Sequence, residues 1–185
     1  MSRLILLNKP YNVVAQFSSE TDRATLKDFV SIPNVYAAGR LDADSEGLLL
    51  LTDDGALQAR ISHPKHKLPK RYWVQVEGVP EPGVLSKLTR GLDLGDFVTA
   101  SCQCKVIGEP MLLWPRNPPI RVRLAIPTTW LEISLQEGKN RQIRRMTAKI
   151  GHPCLRLIRY SIGNWSVDGL LPGQWRSEEI HEYPK

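Results

Sequence analysis

Short apolar runs and alternating stretches, separated by turn residues, recur along this chain and predict a fold rich in strands. We expect strands over residues 3–7, 48–52, 71–77, 98–107, 120–126 and 130–135. The second of these is an unbroken leucine run that ends at Thr52, which is typical of a buried strand. The third alternates Tyr72, Val74 and Val76 with polar residues, which is typical of a strand with one buried face.

Capping and turn residues predict a few helices between these strands. The helices are expected over residues 25–30, 55–61, 82–88 and 140–150. Asp54 stands where the N-cap of the second helix should be, and Pro82 suits the first turn of the third.

The helix over residues 140–150 has the most regular pattern. Asn140 is expected to be its N-cap, and Ile143 and Met146 lie on one apolar stripe. Gly151 can adopt the left-handed backbone that ends a helix. Runs of strands with segregated helices predict an α+β fold with a mostly antiparallel, mixed central sheet and flanking helices.

The length of 185 residues suits one domain over 1–185, and the proline-rich segment 108–119 could divide it into two lobes. The formal net charge is +6, and it is unevenly distributed. Residues 121–160 hold nine Lys or Arg against two Glu, and residues 65–71 form a second basic cluster. Clustered positive charge suits a polyphosphate partner such as nucleic acid, although a solvated basic face would give the same pattern.

Several classes of protein are disfavoured by the sequence. The longest apolar runs are far too short to span a bilayer, and the amino terminus does not resemble a signal peptide. Three cysteines do not suggest a disulfide framework, so a reducing cytoplasmic setting is expected. Cys102, Cys104 and Cys154 do not have zinc-site spacing, and no metal site is expected.

Cofactor motifs are also missing from the sequence. It contains neither a Walker-type phosphate loop nor GxGxxG, and no G-x-S-x-G nucleophile elbow. The acids Asp42, Asp44 and Glu46 imitate the start of an EF-hand loop, but its later ligand positions would fall in the leucine run. An enzyme built on this chain must therefore use carboxylate, tyrosine and arginine side chains, without a cofactor.

The segment from Gly39 to Thr52 is the most informative stretch, because it places Asp42 two residues after an arginine and just before the leucine run. It is one of five motifs that resemble those of the RsuA-like pseudouridine synthases, closest to the bacterial RluE-like type that modifies large-subunit ribosomal RNA. The motifs are Leu7-Asn8-Lys9-Pro10, Gly39-Arg40-Leu41-Asp42 with Ser45 to Gly55, Lys70-Arg71-Tyr72, Glu137 to Met146, and Leu157 to Gly163. They occur in the family's order and cover nearly the whole chain.

The resemblance implies a pseudouridine synthase fold with a catalytic cleft across the sheet. It also implies an isomerase that converts one uridine of RNA into pseudouridine without a cosubstrate. Asp42 would start the reaction, either at uracil C6 or at the ribose, and Arg144 would keep it charged and oriented. Tyr72 would stack on the uracil and move the C5 proton, and Leu157 would pack against the pocket floor or the base.

The resemblance further implies that the target base is flipped out and that Arg40 fills the vacated space. The other reading of Arg40 is a salt bridge with Asp44 or Glu46. Phosphate contacts are expected from the basic segment. Lys9 is grouped with the substrate- or RNA-binding residues, and a structural role in the wall of the site is expected for it before a catalytic one. The expected contributors are Lys139, Arg141 and Arg145, with Lys67 and Lys70 across the cleft.

Two other functions compete with this reading. A catalytically silent RNA- or ribosome-binding module would keep the fold but lose Asp42, Tyr72 or Arg144, and all three are present. A glycoside-processing enzyme would need a carboxylate pair at defined separation. Many relatives carry a basic S4 domain before the catalytic domain, and this chain starts at the first motif. Specificity is therefore expected from the catalytic domain, a missing segment or a partner, and we expect a cytoplasmic monomer.

Overall fold

Two compact units make up the chain in a computed structural model that describes residues 1–66 and 68–184. Unit 1 comprises Met1–Leu68 and Arg159–Lys185, and unit 2 comprises Pro69–Ile158. The proline-rich segment 108–119 lies inside unit 2.

The secondary structure confirms an α+β fold. The strands are β1 (Ser2–Lys9), β2 (Tyr36–Ala37), β3 (Glu46–Thr52), β4 (Lys70–Glu77), β5 (Gln103–Ile107), β6 (Thr128–Leu135), β7 (Cys154–Ile162), β8 (Trp165–Ser166) and β9 (Trp175–Ile180). The α-helices are α1 (Gly55–Ser62), α2 (Pro82–Arg90) and α3 (Gln142–Lys149), with single 3-10 turns at Leu26–Asp28 and Pro64–His66. No helix within 1–66 and 68–184 is long and apolar enough to cross a bilayer.

Strand β3 is the centre of unit 1. It pairs antiparallel with β1, Leu6 facing Leu50, and β1 pairs antiparallel with β9 on its other side. Every residue of β3 is buried, as the leucine run predicts. Its odd-numbered leucines pack into one apolar cluster with Ile5, Leu7, Leu26, Val30, Val35 and Leu41. Asp54 caps α1 as expected, accepting hydrogen bonds from the amides of Ala56 and Leu57.

Unit 2 is built on β6, which pairs antiparallel with both β4 and β5. The alternation along β4 predicted its geometry correctly, because Tyr72, Val74 and Val76 are all buried. They form one core with residues from β6, from helices α2 and α3 and from β7, namely Leu88, Leu131, Ile133, Leu135, Ile143, Met146 and Leu157.

Strand β7 continues from unit 2 into unit 1, because the division falls between Ile158 and Arg159. The sequence pattern did not predict this strand. Its apolar residues are interrupted by Arg156 and Arg159, which are normally signs of exposure, yet both side chains are buried. The pattern also missed β9.

Three expected elements differ from the structure, and the helix expected over residues 25–30 is only a 3-10 turn at Leu26–Asp28. Residues 120–126 alternate apolar and polar residues but form no strand, and Val122 and Leu124 are exposed. Prolines flank the segment at 118, 119 and 127, and proline removes the amide that a ladder needs. The strand expected over 98–107 is shorter, and covers only Gln103–Ile107.

The start of α3 differs from the expectation as well. Its N-cap is Arg141, not Asn140, and Arg141 has the left-handed backbone conformation with φ 51° and no side-chain cap bond. The other end agrees with the sequence, because Gly151 has φ 85° just after the last turn.

Candidate active site

Asp42 lies on a short loop between β2 and β3 of unit 1, and its side chain is partly exposed. The preceding residue, Leu41, is buried in the apolar cluster beneath β3, which anchors the loop to the core. The amide of Ser45 donates to the carbonyl of Asp42 at 3.0 Å and closes a turn. The sequence therefore places a carboxylate on a loop fixed immediately before and after it.

Lys9 holds the same loop from inside. Its ammonium donates to the carbonyls of Pro10 at 2.8 Å, Val13 at 2.9 Å and Ala43 at 3.4 Å. The side chain is 0% exposed, so the grouping of Lys9 with RNA-binding residues needs correction. A completely buried ammonium on backbone carbonyls supports the chain and has no surface to offer a phosphate.

Burial lowers the pKa of Lys9 to about 7, and the nearby Arg159 guanidinium acts in the same direction. The carboxylates of Glu46, Asp44 and Asp42 oppose the shift. Glu46 is itself buried, so the Asp42 loop rests on a cluster of buried charges.

Arg159 contacts the backbone at both ends of the loop. Its Nε donates to the carbonyl of Leu48 at 2.8 Å and its Nη1 to the carbonyl of Arg40 at 3.2 Å. The start of β3 lies directly on this part of β7, because a Cβ at Gly47 would lie 2.3 Å from the Arg159 carbonyl oxygen. Sequence reasoning noted Arg159 in a motif but gave it no role. A cation inside an apolar run was the available signal.

The side chain of Arg40 is exposed. This exposure is necessary for a residue that occupies the space left by a flipped-out base. Among its expected ion-pair partners, Glu46 is buried, whereas Asp44 is partly exposed. The backbone of Arg40 is held by Arg159 while its side chain faces solvent.

Unit 2 contains the other expected catalytic residues. Tyr72 on β4 and Leu157 on β7 are buried in one core cluster with Ile143 and Met146 of α3. Arg144, which follows Ile143 on α3, is partly exposed. The fold thus brings Tyr72, Leu157 and the Arg144 helix together in one unit, while Asp42 belongs to the other. The pairing of Asp42 with Arg144 remains a prediction.

The basic residues at the start of α3 have different environments. Lys139 and Arg141 are exposed, as phosphate contacts should be. Arg145 instead donates through both terminal nitrogens to the carboxylate of Asp96, which lowers the pKa of Asp96. Its guanidinium also lies 5.4 Å from the ring centre of Phe97, and the ammonium of Lys139 lies 5.8 Å from the same ring. Neither Asp96 nor Phe97 was selected from the sequence.

Four other basic residues belong to the basic clusters that the sequence indicates. Lys70 is partly exposed, and its ammonium lies near Gly138 of the α3 motif. Lys67 lies outside the described residues. Arg156 and Arg159, counted in the basic segment, are buried and donate to backbone carbonyls. They contribute structure and no surface charge, so the basic face is smaller than the sequence suggests.

Metal-binding and thiol chemistry find little support. Among residues 1–66 and 68–184, no group of three or more His, Cys, Asp or Glu side chains could hold a metal ion. Burial raises the pKa of Cys102 to about 11 and that of Cys104 to about 12, so both are protonated thiols at neutral pH.

Comparison with known proteins decides the family. A family model described as RNA pseudouridylate synthase matches residues 3–149, most of the chain. The chain belongs to this family. The synthase residues expected from the five motifs fall within or just after the matched range.

Individual relatives agree with this assignment. The chain is 55% identical over 174 residues to ribosomal large subunit pseudouridine synthase E of Vibrio vulnificus, covering 94% of this chain and 74% of the relative. It is 54% identical to the protein of the same name from Xanthomonas campestris, covering 95% of both chains. A Bacillus subtilis ribosomal large subunit pseudouridine synthase B is 34% identical over 96% of this chain and 68% of the relative.

Solved structures support the pseudouridine synthase fold. A crystal structure of a pseudouridylate synthase matches with a TM-score of 0.77 at 27% identity, covering 97% of this chain and 71% of that one. An H/ACA ribonucleoprotein bound to a substrate RNA matches with a TM-score of 0.59 at 14% identity, covering 90% of this chain and 49% of that one. The latter likeness shows the fold alone.

Proposed function

We propose that this chain isomerises one uridine of large-subunit ribosomal RNA to pseudouridine, acting as a cytoplasmic monomer. The observation that carries the proposal is its 54% identity to a type E large-subunit synthase over 95% of both chains. The site supports it, since Asp42 is a partly exposed carboxylate on a loop fixed by Leu41 and Lys9.

The reaction rearranges one nucleotide and needs no second substrate. The N1–C1′ bond of the uridine breaks, a C5–C1′ bond forms, and the C5 proton moves, so no atom is gained or lost. Asp42 starts the rearrangement as an ionised carboxylate, at uracil C6 or at the ribose. In this proposal Arg144 stabilises that charge by a charge-assisted hydrogen bond.

Tyr72 and Leu157 form the part of the pocket that receives the base. Tyr72 is 8% exposed and Leu157 6%, so each presents only a small surface, as residues that line the floor of a cleft do. The tyrosine ring offers a stacking face, and its hydroxyl moves the C5 proton. Leu157 supplies apolar contact to the base.

RNA reaches this pocket by base flipping, which costs a few kcal/mol for a stacked base. Arg40 fills the space that the base leaves. Its exposed side chain and its backbone, which is held by Arg159, support this role. Exposed Lys139 and Arg141, together with Arg145 and Lys70, supply phosphate contacts. These contacts make the affinity depend on salt.

The test is to incubate the protein with unmodified large-subunit ribosomal RNA, without metal or cofactor, and to map pseudouridines by carbodiimide labelling and primer extension. We expect one new stop with the wild type and none with Asp42→Asn, whose RNA affinity should stay within a few-fold. Normal turnover by Asp42→Asn would remove Asp42 from the mechanism.

Absence of any stop with the wild type would contradict action on free large-subunit RNA. Repeating the assay on assembly intermediates, small-subunit RNA and transfer RNA would then distinguish another substrate from a silent RNA-binding module. Light scattering of the purified protein tests the monomer, since a mass of twice the chain would contradict it.

A further inference from the structure

We propose that Arg159 is a positioning residue for Asp42, an inference that rests on the proposed function. The loop 40–48 carries Asp42, and the guanidinium of Arg159 bridges its two ends. One bond reaches the carbonyl of Arg40, two residues before the aspartate, and the other reaches Leu48 at the start of the leucine run. A single buried side chain thus sets the distance between the ends of the loop.

The chain leaves this arrangement little freedom. Gly47 has φ 103°, and a Cβ there would lie 2.3 Å from the carbonyl oxygen and 2.9 Å from the amide nitrogen of Arg159. Such a close approach fixes β3 against the backbone that carries the guanidinium. Lys9 adds a third attachment in the middle of the loop, at the carbonyl of Ala43. The loop is therefore held at its start, middle and end by two buried cations.

The contribution of Arg159 to stability does not by itself explain why an arginine is buried at this position. Its side chain is 4% exposed, and it lies close enough to a second buried cation to lower the pKa of Lys9. Its Nη2 is buried without a hydrogen-bond acceptor among residues 1–66 and 68–184. An unmatched donor is unfavourable in a protein interior, and so is a second buried cation nearby, although the buried carboxylate of Glu46 belongs to the same cluster. Positioning of the catalytic loop accounts for a cation here.

The bonds of Arg159 reach two residues with proposed roles. They hold the backbone of Arg40, whose side chain is proposed to replace the flipped base, and they fix the loop that aims Asp42. Misplacement of a reacting group by about 1 Å can cost about 100-fold in rate. Loss of the bridge should therefore lower the chemical rate with little change in RNA affinity.

Arg156 provides a matched control, because it lies three residues earlier on β7, is equally buried, and donates to a backbone carbonyl at 2.9 Å. The acceptor of this bond is the carbonyl of Trp114, which is outside the Asp42 loop. We would compare Arg159→Lys with Arg156→Lys. Lysine keeps the positive charge but has one nitrogen, whereas the guanidinium of arginine has three and can bond two carbonyls at once. The measurements are the single-turnover rate at saturating RNA, the Kd for RNA and the melting temperature.

We expect Arg159→Lys to lower the saturated rate 10- to 100-fold with Kd within about threefold of the wild type. Arg156→Lys should keep the rate within twofold at a comparable loss of melting temperature. A wild-type rate in folded Arg159→Lys would overturn the proposal, as would an equal rate loss in Arg156→Lys.

Hydrogen–deuterium exchange of the peptide covering residues 40–48 tests the bridge without any turnover. Exchange in this peptide should be slow in the wild type and faster in Arg159→Lys, but unchanged in Arg156→Lys. Unprotected exchange of residues 40–48 in the wild type would also overturn the proposal, because it would show that the loop is not fixed. The wild type could make no pseudouridine while the three proteins still show these differences in exchange. That result would contradict the proposed function but support the role of Arg159 in fixing the loop.

Discussion

Both terminal nitrogens of Arg145 donate to the carboxylate of Asp96, so a residue expected to bind phosphate already has an anionic partner within its own chain. The pair is accessible, with side-chain exposures of 35% for Arg145 and 64% for Asp96. Exposed ion pairs contribute little to stability. If Arg145 binds an RNA phosphate as proposed, we expect the phosphate to displace Asp96 and the Asp96 carboxylate to compete weakly with RNA.

Removal of this competitor should strengthen RNA binding. We expect Asp96→Asn to lower the Kd for RNA roughly twofold to fivefold at low salt, because Arg145 is then available and one negative charge is lost. Asp93→Asn is the control, since it removes the same charge from the same loop, while the Asp93 carboxylate accepts from the amide of Gly95 and not from Arg145. Equal effects of the two variants would mean that only net charge matters.

Truncation of Arg145 should act in the opposite direction. Arg145→Ala should weaken RNA binding for all sequences and reduce the slope of log Kd against log salt by about one. Filter-binding or fluorescence titrations at several salt concentrations measure the slope. An unchanged slope would remove Arg145 from the phosphate contacts.

The hydroxyl of Tyr72 can be tested without disturbing the core. Tyr72→Phe keeps the ring among Ile143, Met146 and Leu157, so the free energy of unfolding should change by less than about 1.5 kcal/mol. Turnover should fall roughly 100- to 10,000-fold if the hydroxyl moves the C5 proton. Tyr160→Phe is the control, because its hydroxyl donates to the surface residue Asp168. If Tyr72→Phe turned over at the wild-type rate, the hydroxyl would not move the C5 proton, and the ring would serve only for stacking.

Gly47 should not tolerate a side chain. Gly47→Ala would drive a Cβ into the Arg159 backbone at a positive φ, and we expect it to cost about 3 kcal/mol or more of unfolding free energy. Gly83→Ala makes a matched comparison, because its Cβ would meet nothing within 4 Å in helix α2. That variant should be roughly 0.5–1 kcal/mol more stable than the wild type. Urea unfolding of both proteins decides the matter, and a stable Gly47→Ala would contradict the close packing.

Lys9 should make stability depend on pH near neutrality. Its folded pKa of about 7 lies below the usual lysine value of 10.5, so between these values the unfolded chain holds a proton that the folded chain has lost. Stability contributed by Lys9 therefore rises with pH above 7, by at most about 1.4 kcal/mol per pH unit, and is constant below 7.

Urea unfolding of wild type and Lys9→Met between pH 6 and pH 9 isolates this contribution. The unfolding free energy of the wild type should increase relative to that of Lys9→Met as pH rises from 7 to 9. A constant difference between the two proteins would mean that Lys9 keeps its proton throughout that range.

Local patterns predicted those parts of the fold that depend on local chemistry. The cap at Asp54, the buried leucine run and the glycine after α3 each follow from a few neighbouring residues. The alternation at residues 120–126 misled because Val122 and Leu124 have the right spacing but no neighbouring strand. Strand β7 was missed for the converse reason, since its two arginines are buried and donate to carbonyls far away in sequence.

The residues of the candidate site also fall into two groups: those that local sequence can predict and those that depend on contacts with distant parts of the chain. Motif resemblance selected Asp42, Tyr72 and Arg144 because the family's chemistry depends on side-chain type at fixed places. It suggested a structural role for Lys9 but could not predict that the ammonium is fully buried, since burial depends on which carbonyls the fold brings to it. Nor could it reveal Asp96 as a partner of Arg145, because 49 residues separate the two.

The order in which the chain is synthesised also bears on the Asp42 loop. Unit 2 is one continuous stretch of chain, whereas unit 1 needs its second segment, residues 159–185, to complete its sheet. Strand β9 and Arg159 both belong to that last segment. The loop that carries Asp42 is therefore synthesised well before Arg159, the residue that bridges its two ends.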